Sequence, residues 1–462
     1  MAEAVTDYDV IIIGGGRVAV PLAAALSAAG MHVAVVERKR LGGSHVNFGP
    51  TPTKAAQASA RLVYQARRAE AFGLRIPAVE VDLEAVLEAA EVCALQQYDE
   101  EMARLRELPG VDLLSGHGRL TGKRGRALLV SADGRRLRAD QVVIDTGSRS
   151  SLPPLEGLGT VPYVHAGNWL GLRSLPEHPV MVGGGFVGLE MGQFYRRLGA
   201  QVTVLHRGDH VLPKEDADVA AALQRLLEDE GMRFELRAEA TAVECREDGV
   251  RLHYEQRGRM KTVSGSHLFV AAGRKLNTDD LGLETVGLAP NEEGFIEVDE
   301  TLKAKVPGLW VAGDARSGPS YAHSAYDDHR VIAARLTRAS LRTAEQVVPY
   351  AVFTDPELGR VGMTEYEARR TGQKVEVVVY DMARSRRASE LRETRGFIKL
   401  VVNGATKQVL GAAVLAYRGA ELVHSYLDLI NAGLPYRLIG DAIYIHPTLQ
   451  EAVQGAVAML EP

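Results

Sequence analysis

The sequence predicts an α/β fold with two Rossmann-like units. Two stretches, from Tyr8 to Arg38 and from His178 to Arg207, share one order: an apolar run, a glycine triplet, a helical pattern and a second apolar run. Short apolar runs that alternate with helical patterns are typical of buried parallel strands linked by helices. The chain of 462 residues is also too long for a single core, and we expect roughly two to four domains.

The first unit has the glycine spacing of a dinucleotide-binding turn. The apolar run before the glycines predicts a strand, and the pattern after them predicts a helix from about Val18 to Ala29. Gly14 permits a tight turn, and Gly16 lets the backbone approach a pyrophosphate at the helix N-terminus. After the second strand, Glu37 stands where a carboxylate can bind the hydroxyls of an adenosine ribose, with Arg38 beside it.

The second unit repeats this order but ends with a different charge. Its glycines are Gly183, Gly185 and Gly188, and the position equivalent to the acid of the first unit is His206, followed by Arg207. A carboxylate there would accept hydrogen bonds from a free 2′-hydroxyl, whereas a guanidinium could pair with a 2′-phosphate. The sequence therefore favours NADPH, with NADH as the other candidate if Arg207 only points into solvent.

Composition and charge exclude several other classes of protein. A net charge of −5 argues against nucleic acid as the main partner. No apolar run approaches the ~18 residues that a membrane span needs. The N-terminal residues, MAEAVTDYDV, have neither a basic start nor an apolar signal core. We expect a cytoplasmic protein without a membrane span.

The chain has 2 cysteines, and neither lies in a recognisable redox motif. Cys93 falls in a helical pattern and Cys245 in a strand-like one. We expect both to be small buried or half-buried side chains. A dithiol site would need both thiols within bonding distance, and nothing in the sequence indicates that.

A third stretch, LGGSHVNFGPTPTK from Leu41 to Lys54, resembles the loop after the first Rossmann unit in the flavoprotein disulfide reductases. Further stretches resemble the same family in the family's order: VIDTGSR, FVAAGRKLNTDDLGLE, LWVAGDA, AVFTDPELGRVGMTE and IHPTLQEAV. The resemblance extends from about Asp7 to the C-terminus, and by motif it is nearest to dihydrolipoamide dehydrogenase and mercuric reductase. It implies two Rossmann-like dinucleotide-binding domains followed by a C-terminal α+β dimerisation domain.

The resemblance also implies domain boundaries. We expect the first part of an FAD-binding domain at 1–150, an NAD(P)-binding domain at 151–272, the second part of the FAD or central domain at 273–346 and the dimerisation domain at 347–462. A stretch rich in Ser, Pro and Gly, TGSRSSLPPLEG, lies at the first boundary. The basic run from Ala383 to Gly396 is expected to be a solvated hairpin, with an acidic binding partner as the other interpretation.

Roles at the flavin follow from the resemblance. Gly14, Gly16 and Glu37 would bind the pyrophosphate and ribose of FAD, and Asp314 would accept a hydrogen bond from the ribityl chain. The stretch YAHSA predicts a helix that starts near Ala322, whose positive end would stabilise the negative charge of reduced flavin.

Other positions assigned to cofactor binding lie between these motifs. They are Gly43, Thr146, Gly147 and Gly273, together with Arg38 and the second-unit residues named above. Lys54 would lie near flavin N5 and pair with Glu190 on the helix of the second unit. A surface charge on a helix is the plainer interpretation of both, but their placement within the motifs favours a functional pair.

The C-terminal motif implies an obligate homodimer. In the family, the positions of His446 and Glu451 reach into the flavin site of the partner subunit, so that each subunit completes the other's site. A carboxylate-held imidazole suits proton transfer near neutral pH, although a structural interface histidine is the alternative. Tyr444 stands where many relatives have a second histidine, which puts any role that needs two histidines there in doubt.

The relay of the family is missing from this sequence. Family members carry two cysteines five positions apart in the loop, but here those positions are His45 and Pro50. Neither residue can take part in thiol–disulfide exchange, which excludes disulfide reduction by the usual mechanism. Mercuric ion reduction of the usual kind also needs soft thiolate ligands.

These observations predict an FAD-dependent NAD(P)H oxidoreductase without a dithiol relay. Electrons would pass from NADPH, or NADH, through FAD directly to a quinone-like or other small acceptor. A pyridine nucleotide transhydrogenase and a non-enzymatic flavoprotein that senses NADPH are the two alternatives.

Three roles are open for His45. It could fill the space of a thiol and hydrogen-bond to the backbone, or it could donate a proton to a reduced quinone. Together with His446 and Glu451 of the partner subunit it could also bind a metal ion. We expect no metal site.

Overall fold

A computed structural model describes residues 5–339, 343–344 and 346–460 of the chain. The N-terminal part contains the first Rossmann-like unit and a helical hairpin. Its elements are β1 (Val5–Ile13), α1 (Ala19–Ala28), β2 (Val33–Glu37), α2 (Gly43–Asn47), α3 (Pro50–Arg67), α4 (Leu83–Arg106), β3 (Val111–Ser115), β4 (Gly118–Arg124), β5 (Ala127–Ala132), β6 (Arg135–Ile144) and β7 (Ser148–Ser150).

The middle part contains the second Rossmann-like unit. Its elements are β8 (Tyr163–His165), β9 (Pro179–Val182), α5 (Phe186–Leu198), β10 (Val202–His206), α6 (Ala217–Asp229), β11 (Met232–Leu236), β12 (Ala238–Arg246), β13 (Gly249–Gln256), β14 (Arg259–Gly265), β15 (His267–Val270) and β16 (Arg274–Leu276). The order of strand, glycine turn, helix and strand agrees with the sequence prediction in both units.

The chain then returns to the first unit and ends in a separate antiparallel sheet. The return supplies β17 (Leu309–Val311) and α7 (Ala322–Leu336). The C-terminal elements are β18 (Tyr350–Val352), β19 (Glu357–Gly362), α8 (Glu365–Arg370), β20 (Val375–Asp381), α9 (Arg386–Glu390), β21 (Phe397–Asn403), β22 (Val409–Ala416), α10 (Gly419–Leu422), α11 (His424–Ala432), α12 (Arg437–Gly440) and α13 (Gln450–Ala458).

The strand orders of the two sheets place each glycine turn where a ligand could bind. The first sheet has the order β3-β2-β1-β6-β5-β4, with β17 also paired to β6. The second has the order β11-β10-β9-β15-β8 and is parallel throughout. In each sheet the glycine turn follows a central strand, where the strand order reverses and ligands bind.

A pair of short strands lies between the two units, and the C-terminal part has a sheet of its own. β7 and β16 pair antiparallel where the chain leaves and re-enters the first unit. The C-terminal sheet has the order β18-β19-β22-β21-β20 and is antiparallel. This α+β part agrees with the predicted fold class, while the domain boundaries stay predictions. Residues 1–4, 340–342, 345 and 461–462 of those predicted domains lie outside the described residues.

Two smaller expectations were wrong. Both cysteines are exposed rather than buried or half-buried. The buried positions of α4 include Leu87, Ala90 and Ala94, and Cys93 falls outside that buried stripe of the helix. Cys245 lies near the hairpin end of β12, where it pairs with Val250.

The basic run from Ala383 to Gly396 is not a hairpin. It contains the short helix α9, which begins because the Ser385 side chain accepts a hydrogen bond from the backbone N–H of Ala388 at 3.3 Å. Glu393 in the same run is buried and forms an ion pair with Arg61 of α3 at 3.0 Å.

Among the helices of the described residues, none is long and apolar enough to cross a membrane.

Candidate flavin and nicotinamide sites

The glycine turn of the first unit is closely packed on one side. Gly14 has a φ of +105°, and a Cβ there would overlap the backbone carbonyl of Asp145. A Cβ on Gly16 would lie 2.7 Å from Oδ2 of the same residue. Each of the two positions therefore accepts only glycine. Because the turn leads into the N-terminus of α1, it suits the binding of a dinucleotide pyrophosphate.

Glu37 is held at the end of β2 by the glycine turn itself. Its Oε2 accepts a hydrogen bond from the backbone N–H of Gly15 at 2.6 Å, and its Oε1 accepts one from the backbone N–H of Lys39 at 2.6 Å. The carboxylate therefore faces the turn, where a ribose would lie. The neighbouring Arg38 is exposed.

A second set of residues surrounds Asp314, beside the start of α7. Ser148 donates a hydrogen bond to the Asp314 carboxylate, and the Arg274 guanidinium lies 3.5 Å from it. Arg274 also donates to the Ser148 hydroxyl at 2.6 Å and to the Ser44 hydroxyl at 3.3 Å. The acid predicted to bind the ribityl chain is thus held by residues from two separate motifs, and Ser44 of a third motif bonds to one of them.

The backbone around this acid is shaped by the other predicted positions. Gly147 and Gly273 have φ values of +63° and +108°. The Asn277 side chain donates to the Thr146 carbonyl at 2.9 Å, and its backbone N–H donates to the Gly147 carbonyl at 3.0 Å. Ala322 is the first residue of α7, so the predicted start of this helix is confirmed.

Lys54 and Glu190 form a close ion pair between the two units. Lys54 Nζ of α3 lies 2.5 Å from Oε2 of Glu190 on α5. Gln57 donates to the same oxygen at 3.2 Å, and the backbone N–H of Phe353 donates to Oε1 at 2.8 Å. The pair was expected from the motifs, whereas the two additional donors had no signal in the sequence.

The loop that replaces the family's dithiol is a short helix, α2. Gly43 at its start has a φ of +59°, and a Cβ there would lie 3.2 Å from the Cα of Gly16, so the loop packs directly on the glycine turn. The Asn47 side chain donates to the carbonyls of Leu41 and Gly43 at 3.0 and 2.8 Å. Pro50 begins α3, where its missing N–H costs nothing.

His45 is half-buried in this loop. Burial, followed by the positive charges of Arg17 and Lys54, lowers its pKa to about 4. Among the described residues, its Nδ1 is buried and has no hydrogen-bond partner. The imidazole is therefore neutral at pH 7, and the backbone hydrogen bond considered for it is not made at Nδ1.

The glycine turn of the second unit is closely packed at two of its three glycines. Gly183 has a φ of +121°, and a Cβ there would overlap the carbonyl of Ala271. A Cβ on Gly188 would overlap the carbonyl of Gly183, so that position also needs glycine. A Cβ on Gly185 would meet no described atom within 4 Å, which leaves space for a pyrophosphate above the turn.

His206 takes the structural place of Glu37. Its Nδ1 accepts a hydrogen bond from the backbone N–H of Gly184 at 3.2 Å. Burial, and then the nearby charge of Arg207, lowers the pKa of the imidazole. Arg207 itself is exposed, so its guanidinium is accessible to a phosphate.

His446 and Glu451 form the predicted pair near the C-terminus. His446 Nδ1 lies 2.9 Å from Glu451 Oε1, and Oε2 accepts a hydrogen bond from the Thr448 backbone N–H at 2.9 Å. These bonds, the backbone one first, lower the pKa of Glu451. The His446 side chain is 66% exposed, and it lies next to Ile445, which is 79% exposed.

The described residues of one subunit contain no group of three His, Cys, Asp or Glu side chains arranged to hold a metal ion. A metal site that combines His45 with His446 and Glu451 of a partner subunit stays an interpretation.

Residues 8–328 match the pyridine nucleotide-disulphide oxidoreductase family, and residues 348–457 match the dimerisation domain of that family. The chain belongs to this family. The family resemblance of the sequence motifs is thereby confirmed, and so is a flavoprotein that binds FAD and NAD(P). The dimerisation domain implies a homodimer.

Pyridine nucleotide-disulphide oxidoreductases similar to this chain cover nearly its whole length. One is the probable pyridine nucleotide-disulfide oxidoreductase RclA of Escherichia coli strain K12, 30% identical over 98% of this chain and 99% of RclA. Another is dihydrolipoyl dehydrogenase of Thermus scotoductus, 33% identical over 98% of this chain and 97% of that protein.

Solved structures of this family superpose closely on the chain. The HOCl-induced flavoprotein disulfide reductase RclA from Escherichia coli has a TM-score of 0.89 at 29% identity, over 98% of this chain and 100% of RclA. LpdA from Mycobacterium tuberculosis has a TM-score of 0.88 at 27% identity, over 99% of this chain and 100% of LpdA.

Two residues that the sequence prediction missed contribute to the candidate flavin site. Arg274 joins the α2 loop to the acid Asp314, and its only sequence signal was its place in the stretch FVAAGRKLN. Asp145, directly after β6, lies buried beneath the first glycine turn. A polar residue at the end of an apolar run was the signal that could have identified it.

Proposed function

We propose that this family member is an NAD(P)H oxidoreductase in which the flavin passes electrons directly to a small acceptor of quinone type. The observation that carries the proposal is that His45 and Pro50 occupy the two relay positions of the loop, while the Lys54–Glu190 pair is intact. Cys93 and Cys245 lie on exposed parts of α4 and β12 and offer no replacement dithiol.

The residues of the chain divide the work as follows. The first glycine turn, Glu37 and Asp314 would hold FAD, which when bound supplies the two-electron chemistry. The second turn and Arg207 would hold the nicotinamide nucleotide, with NADPH preferred because the guanidinium suits a 2′-phosphate. Lys54, fixed by Glu190, would place a positive charge at the flavin.

Proton supply to the reduced acceptor favours His446 over His45. The His446 imidazole is exposed and held by Glu451 at 2.9 Å, a common arrangement of a general acid. His45 is neutral at pH 7 because its pKa is lowered to about 4, which makes it a poor proton donor. His446 and Glu451 of the partner subunit would act at the site of the first subunit.

An anaerobic titration of the holoenzyme with NADPH, and then with NADH, tests the proposal. We expect the flavin absorbance to bleach with about one equivalent of NADPH, without a long-wavelength thiolate-to-flavin band. Quinone turnover should follow, and dihydrolipoamide should not be oxidised. Bleaching that requires two equivalents, or activity with dihydrolipoamide, would contradict a mechanism without a relay.

Histidine variants separate the two proton donors. His45→Ala should leave quinone turnover unchanged, whereas His446→Gln should lower it at least tenfold, toward the range of general acid catalysis of roughly 10²–10⁴. The same fall in His45→Ala would assign the donor role to the loop instead.

Copper(II) is the second acceptor to test. RclA of Escherichia coli is known as a Cu(II) complex, both unaltered and as a mutant with serine in place of one cysteine. His45 presents a neutral imidazole, the form that binds metal ions, and its Nδ1 has no partner within the described part of the chain. The nearby positive charges of Arg17 and Lys54 oppose a cation, so we expect quinones to be preferred. Copper-dependent NADPH oxidation that is lost in His45→Ala would reverse this order.

Hydride transfer from NADPH to NAD⁺ distinguishes the transhydrogenase alternative. Ping-pong kinetics with the two nicotinamides would support it, and indifference to NAD⁺ would remove it. Very slow flavin reduction by both nucleotides would favour an NADPH-sensing flavoprotein instead.

A further inference from the structure

Asp145 is a buried carboxyl group at the point where the first glycine turn meets α1. The residue is 5% exposed, and its Oδ2 accepts a hydrogen bond from the backbone N–H of Val18 at 3.2 Å. The Ala19 N–H also donates to this carboxyl group. Its two oxygens lie 2.7 and 2.8 Å from the position of a Cβ on Gly16. Asp145 therefore binds the helix N-terminus from inside the protein.

The charged groups that act most strongly on Asp145 do not neutralise it. Glu37 at the end of β2 and Asp328 on α7 are both acidic. Burial raises the pKa of Asp145 well above its ordinary value, and the two acids raise it further. The N–H groups of Val18 and Ala19 lower this pKa, but their effect is smaller than that of burial.

The basic groups of the surrounding elements are bound to other acids. Arg17 of the glycine turn is paired with Glu101 at 3.2 Å, and Arg316 is paired with Asp328 at 2.7 Å. Arg274 lies against Asp314 at 3.5 Å and donates to Ser148.

A dinucleotide places a second anion at the same helix end. The pyrophosphate of FAD binds where backbone N–H groups and the helix dipole favour negative charge. An ionised Asp145 directly beneath Gly16 would repel that pyrophosphate, whereas a neutral carboxylic acid would carry no charge to repel it and could still accept the helix N–H groups.

We propose that Asp145 is a neutral acid in the FAD complex and that FAD binding is coupled to uptake of a proton by this residue. Asp145 thereby determines the upper pH limit at which the protein retains its flavin. The inference concerns cofactor retention alone, so it does not depend on the identity of the electron acceptor.

Flavin release from the holoenzyme tests the inference without any measurement of turnover. The Kd of FAD is measured from the fluorescence of released flavin at a series of pH values. For the unaltered protein we expect the Kd to rise with pH by up to about tenfold per unit, since one proton is linked to binding. In Asp145→Asn, which cannot ionise, the Kd should be independent of pH and lower than that of the unaltered protein at high pH.

Asp140→Asn is the matched control, because Asp140 lies on the same strand β6 but is exposed. It should keep the pH dependence of the unaltered protein. An equal pH dependence in Asp145→Asn, or loss of FAD from this variant at every pH, would overturn the inference. Proton exchange during flavin release from the unaltered holoenzyme, followed with an indicator dye, gives a test that needs no variant. At pH values where the Kd of FAD rises with pH, release should liberate up to one proton per FAD, and no proton release there would overturn the inference.

Discussion

The two Rossmann-like units share a backbone plan but differ in the side chain that closes the glycine turn. In the first unit, the Glu37 carboxylate accepts the N–H of Gly15 at 2.6 Å. In the second, the His206 imidazole accepts the N–H of Gly184 at 3.2 Å. Both side chains make the same bond from the same place, yet one is an anion and the other is followed by an exposed guanidinium. The turn is thus a common scaffold, and we expect its closing residue to determine which nucleotide it accepts.

The largest effects should come from the glycines that both turns require. Gly14→Ala places a methyl group against the Asp145 carbonyl at a φ of +105°, and we expect a protein without FAD. Gly183→Ala does the same against Ala271, and we expect a protein that keeps FAD but is not bleached by NADPH. Flavin content per subunit and bleaching by NADPH measure the two losses.

Gly134→Ala is the control for these variants, because Gly134 has a φ of +80° but no described neighbour within 4 Å of its added Cβ. It should cost some stability and leave both cofactors bound. Loss of FAD from Gly183→Ala would show that the two units do not bind their nucleotides independently.

The next largest effect concerns the contact between the units. Glu190→Gln removes the charge that holds Lys54 at 2.5 Å, and we expect flavin reduction by NADPH to slow by about tenfold or more. Stopped-flow absorbance at constant FAD content measures this rate. Gln57→Ala removes only the 3.2 Å bond to the same carboxylate and should have a much smaller effect. Reduction of the Glu190 variant at the unaltered rate would exclude a role for the pair.

A smaller effect is expected at the closing residue of the second turn. Arg207→Ala should raise the Kd of NADPH by about tenfold to a hundredfold, the loss of one charged hydrogen-bond pair, and leave that of NADH unchanged. His206→Glu installs the carboxylate of the first unit and should improve NADH binding. Equilibrium binding of both nucleotides decides the matter, and equal losses for NADPH and NADH in Arg207→Ala would refute a 2′-phosphate contact.

The smallest expected effect is a loss of stability at low pH, caused by one histidine in each unit. His45 has an ordinary pKa of 6.5 when unfolded and about 4 when folded, so the unfolded chain binds its proton first as the pH falls. Its contribution to stability is complete above pH 6.5 and decreases toward pH 4, by about 3 kcal/mol. Urea unfolding at several pH values should show this loss in the unaltered protein and less of it in His45→Asn. His206→Asn should also reduce the loss, because burial lowers the pKa of His206 as well. An unchanged pH dependence in His45→Asn would contradict the burial assigned to His45.

Sequence predicted the parts of this molecule that depend on local pattern. The strand, turn and helix of each unit follow from apolar periodicity and from glycines at positions with positive φ, such as Gly14 and Gly183. The pairing of Lys54 with Glu190, and of His446 with Glu451, followed from family motifs and is present in the structure.

Contacts between distant segments could not be read in the same way. Arg274 reaches Ser44, Ser148 and Asp314 across the chain, and no local spacing encodes such a bridge. The exposure of Cys93 depends on which side of α4 packs inward, a choice that weak amphipathic patterning left open. The short helix that begins at Ser385 lies where charge alone suggested a solvated hairpin.

The Glu190 carboxylate contacts all three parts of the subunit. Glu190 belongs to the second unit, its Oε2 contacts Lys54 of the first, and its Oε1 receives the N–H of Phe353 at the start of the C-terminal sheet. The segment around Phe353, which leads into the dimerisation domain, is therefore also in contact with the candidate redox centre. A displaced C-terminal domain would loosen Lys54 as well, so separation of the subunits should slow the reductive half-reaction, which stopped-flow measurements at increasing dilution would reveal. Dimer formation and the rate of flavin reduction by NADPH would then depend on the same contact.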